Sequence, residues 1–192
     1  KDITNSVKRY TESKGIHLLF ESSVQSMIIA CDPDMIERIM LNLISNAIKF
    51  TDKGGTITVG ISEEEKYIII SVTDTGIGIP EKKLGKIFEL YSKDEEDVIH
   101  NKEGTGIGLY LVKAFVEAHD GKIKATSAVS KGTTFDIALP KRVIDKNPVP
   151  SVNGFGTKPV KPLISDNLVN SVNIEFSDIY SCCNDYEDDE SI

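Results

Sequence analysis

At 192 residues with 40% apolar side chains, the chain is long enough for one ordinary hydrophobic core plus some additional segment. Its net charge of −8 excludes a general nucleic-acid surface, and no apolar run reaches membrane-spanning length. Cys31 and the adjacent pair Cys182 and Cys183 have neither a disulfide nor a metal-binding spacing, so a reducing, cytoplasmic setting is expected.

The opening KDITNSVKRY has no signal-peptide stretch and does not begin with Met, so a piece of a longer chain is expected. Residues 2–14 read as a helix closed by Gly15. IHLLFES (16–22) and SMIIACD (26–32) read as two strands joined by a polar turn. Asp32 offers an N-cap with Pro33 at the first helical position, opening a long helix to about Phe50. Thr51 to Gly55 is a turn, and TITVGIS (56–62) with KYIIISVTD (66–74) predicts a hairpin.

Residues 80–90 read as a short helix, and the polar, charge-dense stretch from Ser92 to Glu103 as a mobile loop. A second long helix is expected from about Ile107 to Ala118, stopping at Gly121. GKIKATSAV (121–129) and GTTFDIALP (132–140) predict a last hairpin. Beyond Pro140 the composition changes: four of the seven prolines fall in 148–162 and the chain ends DYEDDESI. Residues 141–192 therefore read as a linker and flexible acidic tail, with one short strand conceivable near NIEFSDIY.

Three local patterns suggest chemistry. On a helical wheel Ile36, Ile39, Met40, Leu43 and Ala47 face a core, while Asn42, Asn46 and Lys49 form a stripe at i, i+4 and i+7 along its flank. The amides either bond to nearby backbone or offer oxygens to a metal while the lysine meets phosphate. Asp74 ends a strand just before Gly76 and Gly78. It serves a turn, or accepts a hydrogen bond from a flat polar group such as the exocyclic amine of a purine.

EGTGIGL (103–109) opens the helix 107–118, so its backbone amides face the positive end of a helix dipole, an anion-binding arrangement. It is not a dinucleotide fingerprint, because Leu109 stands where the third glycine is needed. Nor is it a P-loop, because no Gly-Lys-Ser/Thr occurs in the chain.

Taken in order, LNLISNAIKFT, DTGIGIP, IFELY, EGTGIGLYLVK and GTTF resemble the N, G1, F, G2 and G3 boxes of the ATP-binding domain of sensor histidine kinases. This is the nucleotide fold shared with gyrase, the heat-shock chaperone ATPases and the mismatch-repair ATPases. The resemblance covers about residues 1–140 and implies an α+β fold. In it a two-layer sandwich sets a mixed, mainly antiparallel sheet against helices, beneath a mobile ATP lid. It implies that Asn46 holds Mg²⁺, with Asn42 lining the same site and Lys49 reaching the phosphates. Asp74 reads the adenine amino group, with Gly76, Gly78 and Ile79 around the base and Thr133 supporting that contact through water. Residues 88–106 form the lid, anchored by Phe88 and Tyr91. Gly104, Thr105, Gly106, Ile107, Gly108 and Leu109 wrap the phosphates.

The sequence departs from the family in two respects. Where such lids often carry an arginine, FELYSKDE offers Lys93, which can neutralise γ-phosphate charge but cannot make the two-pronged arginine contact. The lid then runs DEED (94–97), expected to face solvent. The accepting histidine in a motif near S-x-x-H-E is missing: His17, His100 and His119 lie in other contexts. The resemblance therefore implies a kinase catalytic domain that binds ATP and Mg²⁺ and delivers a phosphoryl group to a histidine-bearing dimerisation hairpin of its own parent. That hairpin should lie just before Lys1. A response regulator receiver domain follows as partner, the parent being a homodimer with or without a membrane anchor. Two other readings stand beside this one: a nucleotide-sensing interaction module without transfer, and a serine kinase of the anti-sigma-factor type.

Overall fold

The computed structural model describes residues 4–5, 7–90 and 107–142. In chain order the elements are α1 (Lys8–Ser13), β1 (His17–Ser22), α2 (Pro33–Phe50), β2 (Thr56–Glu63), β3 (Tyr67–Asp74), α3 (Glu81–Leu84), α4 (Gly108–Ala118), β4 (Lys122–Ala128) and β5 (Gly132–Pro140). The strands form one five-stranded sheet in the order β1-β2-β3-β5-β4. β1 joins β2 in parallel, and every other pairing is antiparallel. The fold is α+β, with α2 and α4 packed on each other and on the sheet.

α2 forms where the sequence predicts it. The Asp32 carboxylate accepts the N–H groups of Asp34 and Met35 at 3.0 and 3.2 Å, and Pro33 gives up an N–H that the first turn would leave unbonded. Its apolar face supplies Ile39, Leu43 and Ala47 to the core, where they meet Leu111, Val112, Phe115 and Val116 of α4. The sheet contributes Ile57, Val59, Val72, Phe135, Ile137 and Leu139 from its covered face. Full burial of each such aliphatic side chain is worth about 1.5–3 kcal/mol, so this layer fixes how α2 sits over β3.

Residues 26–32 do not form the expected strand. β1 takes β2 as its neighbour instead of doubling back, and the chain from Val24 to Asp32 carries no strand. Ala30 donates its N–H to the Arg142 carbonyl at 2.8 Å, and Ile28 is 77% exposed. The apolar run thus bridges toward the end of β5 without burying its residues as a sheet would. The predicted helix at 80–90 shortens to Glu81–Leu84, followed by turns from Gly85 onward.

The expected helix from residue 2 is described as α1 with residues 4 and 5 also helical, and Gly15 closes it at φ +70°. The lid segment from Tyr91 to Gly106, with Lys93, DEED, His100, Gly104 and Thr105, lies outside the described residues. So does the tail from 143, including NIEFSDIY, Cys182 and Cys183. No helix among the described residues is long and apolar enough to cross a membrane.

Candidate functional site

β3 is the central strand, flanked by β2 and β5, and its last residue is Asp74. The register sets Asp74 opposite Ile57 on one side and Thr133 on the other. The residue is 6% exposed. Its Oδ1 accepts the backbone N–H of Gly76 at 2.8 Å and that of Thr133 at 3.3 Å. Both bonds fall on that one oxygen, and Oδ2 has no hydrogen-bond partner among the described residues. The turn thus engages one oxygen of the carboxylate and leaves the other without a hydrogen bond among the described residues. Burial pushes its pKa above the ordinary 3.8, while the two N–H bonds pull the other way.

The chain leaving Asp74 is clamped on both sides. Ile77 donates to the Phe50 carbonyl at the end of α2 at 3.1 Å, and its own carbonyl accepts the Ser130 N–H at 2.7 Å. Gly78 sits at φ +71°, and a Cβ there would lie 2.0 Å from the Ala128 carbonyl oxygen. Half-buried Ile79 donates its N–H to Ser127 Oγ at 2.8 Å. Ser127 Oγ donates to the Gly132 carbonyl at 2.8 Å and lies 2.9 Å from Thr133 Oγ1. Ser127 therefore links the DTGIGIP turn to the GTTF strand. No local pattern in the sequence marks Ser127; the β4–β5 register places it opposite Thr133.

The amide stripe on α2 divides into two kinds of residue. Asn42, expected on the flank, is only 1% exposed, and its Nδ2 donates to the Arg38 carbonyl one turn back at 3.0 Å. The Asn46 side chain is half-buried and makes no hydrogen bond to a described residue. Lys49 is half-buried, with Nζ 5.7 Å from the centre of the Phe50 ring. The first turn of α4 begins at buried Ile107, where no side chain caps the helix. Gly108 and Leu109 follow, both half-buried. A Cβ at Gly108 would stand 2.5 Å from Asn42 Oδ1, so the uncapped helix start lies against the amide stripe.

Phe88 packs edge-to-face on Phe135 at 6.3 Å and borders a pocket of about 290 Å³ with Tyr110, Lys113, Ala114, Glu117 and Ala118. None of those residues belongs to the Asp74 cluster. The described residues hold no group of three or more His, Cys, Asp or Glu suited to a metal. The donor set matches instead a hard cation that takes one amide oxygen and fills its shell with water and phosphate oxygens, and Asn46 fits that role.

Residues 31–143 match the family described as histidine kinase-, DNA gyrase B-, and HSP90-like ATPase, and the chain belongs to it. It is 36% identical over 155 residues to the circadian input-output histidine kinase CikA of Synechococcus elongatus, across 79% of this chain. It spans 21% of the length of that relative. Among solved structures, the catalytic domain of histidine kinase ThkA superposes with a TM-score of 0.65 at 24% identity, covering 74% of this chain and 91% of that one. Full-length ShkA in complex with AMPPNP gives the same TM-score and identity, over 74% of this chain and 29% of the other.

Proposed function

We propose that this domain binds Mg·ATP between α2, the end of β3 and the first turn of α4, and passes the γ-phosphoryl group to a histidine on a separate helical hairpin of its parent kinase. The Asp74 carboxylate carries this reading. It is buried, tied by one oxygen to Gly76 and Thr133, and keeps the other oxygen for a donor such as the adenine amino group. Gly76, Gly78 and Ile79 form the turn beside it, with Thr133 as a second polar contact.

Asn46 is the metal ligand in this reading, with Asn42 supporting the same helix turn and Lys49 reaching toward phosphate. Bound there, Mg²⁺ supplies charge neutralisation on the phosphate oxygens. The N–H groups of Gly108 and Leu109, in a first turn that no described side chain caps, favour anions. Tyr91, Lys93, Gly104, Thr105 and Gly106, which the family resemblance also assigns to ATP binding, lie outside the described residues. The domain's own contribution is position and charge, which is what phosphoryl transfer asks of a protein.

His119 is a poor phosphoryl acceptor in this arrangement, because its Nδ1 lies 2.7 Å from the Phe115 carbonyl and its Nε2 accepts the Asp32 N–H at 3.0 Å. A histidine on a partner hairpin suits the family better. A receiver domain then takes the phosphoryl group onward, in a cytoplasmic, homodimeric parent.

Titration calorimetry with Mg·ATP tests the binding half. Asn46→Ala and Asp74→Asn should each abolish measurable affinity, and unchanged affinity in both would defeat the reading. Supplying the parent's hairpin with γ-labelled ATP tests the transfer half. The expected product is acid-labile phosphate on the hairpin and none on this chain. An acid-stable product would instead identify a serine kinase.

A further inference from the structure

Resting on the base site proposed above, we infer that Ser127 fixes the direction of the Thr133 hydroxyl and so makes the site choose a 6-amino over a 6-keto purine. A serine oxygen has one proton to give and two lone pairs to receive with. The Gly132 carbonyl, 2.8 Å away, can only accept, so the Ser127 proton goes there. The Ile79 N–H, also at 2.8 Å, can only donate, so it takes one lone pair. What remains for Thr133 Oγ1 at 2.9 Å is the second lone pair, and Thr133 must therefore donate its own proton to Ser127.

Once that proton is committed, Thr133 Oγ1 has only lone pairs left to show. Its backbone N–H is bonded to Asp74 Oδ1, which ties the hydroxyl to the carboxylate. The two side chains together then present acceptors alone: Oδ2 of Asp74 and Oγ1 of Thr133. A 6-amino group, or a water held beside it, can satisfy both. A 6-keto oxygen would set a third acceptor against them and leave buried lone pairs unmatched, which is the kind of polar mismatch that discriminates strongly.

Ser127 touches neither nucleotide nor metal in this scheme; it is a positioning residue acting through Thr133. Removing its hydroxyl frees the Thr133 proton to rotate toward a 6-keto oxygen. Mg·ATP and Mg·ITP are the probes, since inosine carries a carbonyl at purine position 6 in place of the adenosine amine, with the adjacent N1 protonated. The purified chain should prefer ATP, and Ser127→Ala should narrow the ATP-to-ITP affinity ratio about fivefold, the worth of one redirected hydrogen bond. Ser127→Thr, which keeps the hydroxyl, should restore the ratio.

If Ser127→Ala does not fold, Ser127→Cys keeps the size with only a weak thiol donor and should narrow the ratio likewise. A folded Ser127→Ala or Ser127→Cys that weakens ATP and ITP equally, or leaves both unchanged, overturns the inference and leaves the base site standing. Failure of that site would register elsewhere, as undiminished ATP affinity in Asp74→Asn.

Discussion

Asn42 and Gly108 touch across the α2–α4 interface: the Asn42 amide oxygen would lie 2.5 Å from a methyl group placed at Gly108. Asn42 cannot swing away cheaply, because it is 1% exposed and its nitrogen is bonded to the Arg38 carbonyl. The glycine is thus required by a neighbouring side chain as well as by any phosphate approaching the helix start. Gly108→Ala should lower stability by about 1–3 kcal/mol, the usual cost of overpacking a filled interface. Adding Asn42→Ala should recover part of that loss in urea denaturation, a coupling that two independent sites would not show.

Asp74 sets stability against function. Its folded pKa is raised, so between the ordinary 3.8 and that raised value the folded state holds more proton than the unfolded one. Stability therefore falls as pH rises through this window and levels off above it. Asp74→Asn keeps an oxygen for the Gly76 and Thr133 N–H groups and removes the buried charge. The variant should be at least as stable as the parent at pH 7, show a flatter stability profile above pH 4, and lose ATP binding. Melting curves across pH with calorimetry at pH 7 check both halves.

The start of α2 is held by the Asp32 cap, distant in sequence from the amide stripe. Asp32→Ala should cost about 1 kcal/mol in urea denaturation, typical of a lost N-cap, with ATP affinity little changed. A large loss of affinity at unchanged stability would instead make the cap part of the binding machinery.

His119 joins the last turn of α4 to the N-terminus of α2. With Nε2 accepting the Asp32 N–H, the proton of the neutral ring belongs on Nδ1, aimed at the Phe115 carbonyl. Nitrogen-15 NMR of the ring should report the Nδ1–H tautomer. His119→Ala should destabilise by roughly 1 kcal/mol.

Much of the fold was legible because its signals are local. Asp32-Pro33 marks the start of α2, the alternation of Ile57 and Val59 shows which face of β2 is covered, and β4 and β5 are separated by a short turn. The failures arose where long-range pairing decides. SMIIACD has the composition of a strand, yet β1 finds its partner in β2 across an intervening helix, and no local pattern announces that choice. Asn42 sits on the flank of an ideal wheel but is buried, because α4 covers that flank. Ser127 is one hydroxyl among several in ATSAVS, and only the strand register gives it Thr133 for a neighbour. Asp74 was readable as a strand-end acid before glycines, though not the gathering of both N–H bonds on one of its oxygens.

The parallel seam between β1 and β2 divides the sheet into parts of unequal autonomy. The other four strands are knit by antiparallel neighbours, whereas His17–Ser22 lies at the edge with residues 56–61 as its strand partner. An edge strand held by one neighbour can be peeled without breaking the ladders that join the other four. Peeling that border strand would unfasten one end of the loop that α2 closes while leaving Asp74 on its strand, so loss of metal-dependent grip and loss of base recognition should separate in a protein pulled from its front end.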